Sequence, residues 1–97
     1  MPPNVLDRIR RLIRHHQYEF TRHARQEAMA DDLHRVDIEA AILTGELHRT
    51  EYDPLGRKYV IVGQATDLTR QVGIVFRFTP DSQSGIIITV YEIEKAT

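Results

Sequence analysis

The chain has 97 residues, of which 41% are hydrophobic and 28% charged, and this composition predicts one globular domain spanning residues 1–97. Thirteen basic and fourteen acidic side chains give a net charge of −1, which excludes a basic field over the whole surface, so any phosphate binding must be local. The absence of cysteine excludes disulfides, thiol catalysis and cysteine-ligated zinc. No apolar run is long enough to span a membrane and the N-terminus does not resemble a signal peptide, so we expect a cytoplasmic protein without membrane contacts.

Three helices are predicted in the N-terminal half. Apolar residues fall on one stripe over 5–16, with arginines on the opposite side, and this spacing predicts an amphipathic helix. Thr21 is a suitable N-cap for a second helix over 22–30, and a third helix is predicted over 35–43. Gly45 follows the third helix, at the position where glycine commonly ends helices.

From residue 46 onward the apolar period changes from 3.6 to 2, which indicates strands. Asp53-Pro54-Leu55-Gly56 matches a type I turn between the first two of them. The last strand is a continuous apolar run, which we expect to be central and buried, whereas the first is mixed and belongs near an edge. The predicted strands are Leu47 to Tyr52, Lys58 to Ala65, Arg70 to Thr79 and Ile86 to Ile93.

This order of elements predicts an α+β fold. Two or three N-terminal helices should pack on one face of a four- to five-stranded, mainly antiparallel sheet, because an exposed apolar strand would aggregate. Tyr18–Phe20, a short extended segment between the first two helices, is the candidate fifth strand.

Three phrases of the sequence occur together in a fixed order. They are Phe20-Thr21-Arg22-His23-Ala24-Arg25, then Asp37-Ile38 through Gly45, then Ile88-Thr89-Val90-Tyr91. In this combination the chain resembles, over about residues 18–93, the bacterial domain-of-unknown-function family 4258. That family's pattern is a His-Ala pair opening a helix, an Asp-Val/Ile helix closed by Gly, a Tyr-rich hairpin and a terminal Thr-Val-Tyr strand.

The family's element order is in turn similar to that of RelE- and BrnT-type toxins. This likeness implies a small metal-independent ribonuclease, without a cofactor, that acts on RNA or the ribosome and is neutralised by an antitoxin protein. The chain departs from the family pattern at two positions. His34 stands where the family often has Ser or Thr before the third helix, and Gly73 stands where it often has His. If that His is needed for activity, this chain lacks it.

RNA cleavage without metal requires a base near the ribose 2′-OH, an acid near the leaving oxygen and fixed positive charge on the phosphate. His23, in the first turn of its helix, is the best candidate base. Arg25 could hold the phosphate, and Tyr91 lies near the end of the last strand, so these three residues form the predicted catalytic set. The predicted RNA-binding residues are Arg22, Arg77, Lys58, Tyr52 and Thr89.

Each candidate also has a purely structural interpretation. His23 could simply pair with Glu27 four residues later, and Tyr91 could be a core residue with its hydroxyl at the rim. The arginines could be solvated, and Thr89 could be an ordinary strand residue. No third ligand accompanies the His23–Glu27 pair, so no metal site is predicted.

The leading hypothesis is therefore an RNA-binding protein, with possible cleavage, whose site is a cleft between the helix bearing His23 and the sheet face bearing Tyr91. The alternative hypothesis is a non-catalytic interaction module that forms a homodimer or holds another protein. The sequence leaves both open.

Overall fold

The computed structural model describes residues 4–93 as three helices and five strands. The expectation that no signal peptide is present concerns residues that lie mostly outside this range. The described part contains no helix long and apolar enough to cross a membrane. In chain order the elements are α1 (Val5–Arg14), β1 (Tyr18–Phe20), α2 (Arg22–Ala30), α3 (Arg35–Thr44), β2 (Glu46–Asp53), β3 (Gly56–Gln64), β4 (Gln71–Phe78) and β5 (Gly85–Ile93).

The five strands form one sheet in the order β1-β5-β4-β3-β2. All neighbours are antiparallel except β1 and β5, which run parallel, so the predicted α+β fold with a mainly antiparallel sheet is confirmed. β2 lies at an edge as expected. The expectation that residues 86–93 form a central strand is correct only at their start, because β1 pairs with Gly85, Ile86 and Ile87 and then ends.

Local capping explains where the helices begin and end. The side chain of Asn4 accepts a hydrogen bond from the N–H of Asp7, and Thr21 Oγ1 accepts one from the N–H of Ala24. α1 ends at Arg14, two residues earlier than predicted, because His16 adopts a left-handed backbone conformation with φ of 56°. The side chain of His34 makes no capping hydrogen bond, in agreement with its poor suitability as an N-cap.

The core lies between the sheet and the helices. α3 packs on β3 and β4, α2 packs on β5, and α1 packs on α3. At Gly63 of β3 the backbone of Ala41 approaches so closely that a Cβ atom there would overlap it. Because alternate strand residues point to opposite faces, the buried side chains identify the face that the helices cover. Fully buried members of this core include Ile9, Ile38, Ile42, Ile61, Ile74, Phe76, Ile87 and Val90.

Candidate functional site

The other face of the sheet carries no helix among residues 4–93, and we call it the helix-free face. Its membership follows from the strand register. Arg49, Val60, Val75 and Thr89 are aligned across β2, β3, β4 and β5. Neighbouring rows on the same face follow by the two-residue alternation of strands. The row on one side of the Arg49–Thr89 row contains Glu46, Val62, Gly73 and Tyr91. The row on its other side contains Glu51, Lys58, Arg77 and Ile86.

A three-residue ionic cluster occupies one end of the helix-free face. Arg77 Nη2 donates to Asp53 Oδ2 at 2.5 Å, and Lys58 Nζ lies 3.6 Å from the same oxygen. Burial alone would raise the pKa of Asp53, but the hydrogen bonds from Arg77 and from the N–H of Leu55, with the nearby positive charges, hold this pKa below its usual value. Arg77 is only 13% exposed, and its Nε is buried without a hydrogen-bond partner among the described residues.

Tyr91 and Arg49 meet nearer the middle of the helix-free face. The Tyr91 ring lies over Gly73, in the space that a Cβ atom at position 73 would need. Arg49 Nε donates to Glu51 Oε2 at 2.9 Å. The Glu51 hydrogen bond and charge, with the adjacent Tyr91 hydroxyl, raise the pKa of Arg49, which therefore stays charged. With its side chain 51% exposed, Arg49 presents a charged donor beside a phenol on an open surface.

Gly73 has a structural role beneath the Tyr91 ring. Any side chain larger than hydrogen would displace the Tyr91 ring from its position over β4. Glycine at this position and tyrosine at position 91 therefore belong together.

Four of the eight predicted site residues lie on the helix-free face, and four lie elsewhere. His23, Arg22 and Arg25 are exposed residues of α2. Tyr52 is on the opposite face of β2, where the Arg57 guanidinium lies 5.8 Å from its ring centroid. The members on the helix-free face are Lys58, Arg77, Thr89 and Tyr91.

The expected cleft shared by His23 and Tyr91 is not formed within residues 4–93. Val90 is buried under the helices, so its neighbour Tyr91 points to the opposite side of the sheet. The Tyr91 ring extends over β4 toward Arg49 of β2, whereas His23 belongs to α2, which lies beside β5 at the far edge. The sequence correctly paired Thr89 with Tyr91 on one face but could not show which face the helices cover.

His23 instead takes part in covering a sheet edge. His23 Nε2 lies 3.2 Å from Glu27 Oε1, and this oxygen accepts a hydrogen bond of 3.2 Å from the N–H of Val90. Asp31 Oδ2 accepts in the same way from the N–H of Glu92. The two carboxylates satisfy backbone donors of β5 beyond the end of β1, so the His23–Glu27 contact has a clear structural role.

Three charged residues of the helix-free face, Arg49, Glu51 and Asp53, were missed by sequence reasoning. The signal was present, because charged residues alternate along β2 at positions 49, 51 and 53. On an edge strand this alternation identifies one polar face. The sequence prediction treats β2 as a mixed strand and names only Tyr52 from it as an RNA-binding residue.

A second positive surface lies on α1. Arg8, Arg11, Arg14 and His15, together with Asp7, line a shallow concavity of about 430 Å³. The Arg8 guanidinium lies 4.6 Å from the ring centroid of Phe78. None of these three arginines forms an ion pair with a carboxylate of residues 4–93, in contrast to the paired cations of the helix-free face. In the same range no three His, Asp or Glu side chains are placed to hold a metal ion.

The comparisons with known proteins assign the family. The family described as Domain of unknown function (DUF4258) matches residues 20–92, so the chain belongs to this family. α1 lies before the matched region and is additional to it. No curated protein and no solved structure matches the chain significantly.

Proposed function

We propose that this member of the DUF4258 family binds single-stranded RNA on its helix-free face and cleaves it without a metal ion. The observation that supports the proposal is the grouping of Tyr91 with Arg49 on an open surface, beside Thr89, Lys58 and Arg77. Four of these five residues, all except Arg49, are also site residues predicted from the sequence. The likeness to RelE- and BrnT-type toxins remains part of this proposal.

In the proposed reaction, the 2′-oxygen of one ribose forms a bond to the adjacent phosphorus and the bond from phosphorus to the 5′-oxygen breaks. The products are a 2′,3′-cyclic phosphate and a 5′-hydroxyl, and no other reactant is consumed. Glu51, next to Arg49, accepts the proton of the 2′-OH. Tyr91 donates a proton to the leaving 5′-oxygen, and the Arg49 guanidinium stabilises the charge that develops on the phosphate.

Lys58 and Arg77 have a different role in this proposal. Both contact Asp53, so the three side chains together carry a net charge of +1. A neighbouring phosphate of the RNA would compete with Asp53 for Lys58, while Arg77 stays in place. His23 takes no part, because its contact with Glu27 already accounts for its position.

The test uses purified protein and an end-labelled single-stranded RNA of about 20 nucleotides, in EDTA and low salt. We expect cleavage products that end in a 2′,3′-cyclic phosphate. Tyr91→Phe should slow cleavage by roughly 100-fold or more, the usual loss when a general acid is removed, with RNA affinity within about twofold. Tyr52→Phe removes a hydroxyl from the opposite face and serves as the matched control. The proposal is wrong if the wild-type protein neither binds nor cleaves RNA, or if Tyr91→Phe cleaves as fast as the wild type.

The second candidate function is binding of a partner protein without catalysis. It is favoured by one observation, namely that the cations of the helix-free face are each already paired with a carboxylate, Arg49 with Glu51 and both Lys58 and Arg77 with Asp53. A phosphate would have to displace a carboxylate, whereas a protein surface of alternating charge could match the pattern as it stands. Under the toxin hypothesis, an antitoxin would bind the same face, and bound antitoxin would then block RNA cleavage in the assay above.

A further inference from the structure

Among residues 4–93, one edge of the sheet is covered by other elements and the opposite edge is exposed. Beyond β1, the edge of β5 is covered by α2 and the residue that follows it. The carboxylates of Glu27 in α2 and of its C-cap Asp31 accept hydrogen bonds from the backbone N–H groups of Val90 and Glu92. Near the start of that edge, Thr21 Oγ1 donates to the carbonyl of Ile88. The opposite edge, β2, pairs with β3 on one side only, and its outer side is met by no element of residues 4–93.

The exposed edge of β2 has only part of the usual protection over its second half, namely the charged residues Arg49, Glu51 and Asp53. Natural edge strands are commonly protected by bulges, proline or charged side chains, especially lysine. β2 has a register shift between Leu47 and Arg49, which disturbs its first residues. Residues 49–53 are regular, contain neither proline nor lysine, and leave every second N–H and C=O free of a sheet partner. This stretch is a template for another strand.

The charges on this stretch are complementary to themselves. Arg49 and Glu51 flank Thr50 and lie on the helix-free face. If a second copy of β2 runs antiparallel with a two-fold axis through Thr50, position 49 of each copy lies opposite position 51 of the other. Both cross-strand pairs are then Arg with Glu, and opposite charges in directly facing positions stabilise strand pairing.

We propose that β2 is a homodimer interface, in which two copies of this chain pair edge to edge about Thr50. The two five-stranded sheets become one sheet of ten strands, and the two helix-free faces become one continuous surface with an Arg49 from each copy at its centre. Each Arg49 exchanges its Glu51 within the chain for Glu51 of the second copy. The interface is isologous, since the same strand is used by both copies.

The dimer should be weak in the absence of other ligands. A single pair of strands buries less surface than a stable dimer interface, which usually exceeds roughly 1,000 Å². We therefore expect a dissociation constant on the order of 10–100 μM and a strong dependence on protein concentration. This inference does not depend on RNA binding, and the experiment below contains no RNA.

The test is sedimentation equilibrium over a wide concentration range in low salt, with folding checked by circular dichroism. The wild type should change from the 11.3 kDa monomer toward twice that mass. Arg49→Glu leaves an acidic residue at both positions 49 and 51 of each copy, and Glu51→Arg leaves a basic residue at both. Because like charges then face each other across the interface, each variant alone should remain monomeric at the concentrations where the wild type dimerises. Mixed in equal amounts, the two variants should form a heterodimer, because both cross-strand pairs are again of opposite charge.

The control is Arg14→Glu, which reverses a charge on α1 and should dimerise like the wild type. Thr50→Pro removes a backbone donor at the two-fold axis and should also give a folded monomer. The proposal is overturned if the wild type stays monomeric up to about 1 mM, a tenfold excess over the weaker expected constant. It is equally overturned if Arg49→Glu dimerises unchanged, or if the mixture of the two charge variants remains monomeric. The mixture distinguishes a charge-matched interface from simple loss of folding, since both variants must be folded to associate.

Discussion

Asp37 is the buried carboxylate that joins α3 to the β3–β4 turn, and its replacement should destabilise the fold strongly. Only 4% of this residue is exposed. Its Oδ1 accepts hydrogen bonds from the hydroxyl and the N–H of Thr66, and its Oδ2 accepts one of 3.0 Å from the N–H of His34. Arg70 Nη2 lies 3.9 Å from Oδ2, and Arg70 Nη1 donates to the carbonyls of Asp31 and Asp32, which follow α2.

Asp37→Ala leaves three donors without their acceptor. Hydrogen bonds to a charged group contribute about 1.5–3 kcal/mol each, but the His34 N–H is at an exposed helix start where water can replace the carboxylate. Loss of a helix cap alone costs about 1 kcal/mol. We therefore expect the free energy of unfolding to fall by about 3 kcal/mol, which lowers Tm by roughly 12–24 °C in a domain of this size. Asp37→Asn keeps one acceptor oxygen and should lose about half as much.

The effect of Asp37 on stability should depend on pH in one direction. The Thr66 hydroxyl, followed by the backbone N–H groups of His34 and Thr66, lowers the pKa of Asp37 despite its burial. A carboxyl whose folded pKa lies below its unfolded value of about 3.9 stabilises the fold above that pH. This stabilisation is lost as the pH falls through the folded pKa. The difference between wild type and Asp37→Asn should therefore be constant from pH 5 to 8 and shrink below about pH 4.

Urea unfolding followed by circular dichroism measures these differences at each pH. Asp32→Asn is the matched control, because its carboxylate is 91% exposed and lies at a left-handed position that asparagine tolerates. It should change stability by less than about 0.5 kcal/mol. An Asp37→Ala protein within that same margin of wild type at pH 7 would refute the reasoning, as would a difference that grows on acidification.

Two further predictions concern Tyr18 and Gly63. Burial, followed by the hydrogen bond to Glu39, raises the pKa of Tyr18 to about 12, so a titration at 295 nm should show a phase near pH 12 that Tyr18→Phe abolishes. Because this folded pKa lies above the unfolded value of about 10, the stability that Tyr18 contributes should be lost as the pH rises from 10 toward 12. Gly63→Ala should lower the free energy of unfolding by about 3 kcal/mol or more, because the added Cβ atom would overlap the backbone of Ala41 and α3 would have to move. Urea unfolding measures this loss, and a smaller value would contradict the close packing of α3 on β3.

The order of helices and strands could be predicted because the apolar period changes once, near residue 46, and because Asn4, Thr21 and Gly45 mark helix ends. The parallel pairing of β1 with β5 could not be predicted, since three residues carry too little pattern to identify a partner strand. For the same reason the sequence did not reveal that the second half of β5 lies at an edge. That edge is recognisable only from the carboxylates of α2 that cover it.

The placement of the candidate site depends on strand parity, which the sequence shows only in part. In β4, Val72, Ile74 and Phe76 alternate with Gly73, Val75 and Arg77, and both sets are largely apolar, so neither is clearly the helix-covered one. A register shift between Val75 and Phe76 then changes the alignment of β4 with β5. The face that Tyr91 occupies is therefore decided by packing elsewhere, mainly of α2 and α3 on the sheet.

The alternation of side chains along β5 also explains why the proposed reaction stays the same although the residues proposed to perform it differ. Once Val90 is committed to the core, Tyr91 must lie on the helix-free face, and the charged residues it can meet are those of β2, β3 and β4. His23 belongs to the other layer and stabilises the edge of β5 through Glu27. An Arg–Tyr–carboxylate group on an open sheet thus replaces the His–Arg–Tyr group that the sequence suggested. Because this group begins at the β2 edge, strand pairing between two copies would join the two groups into one surface.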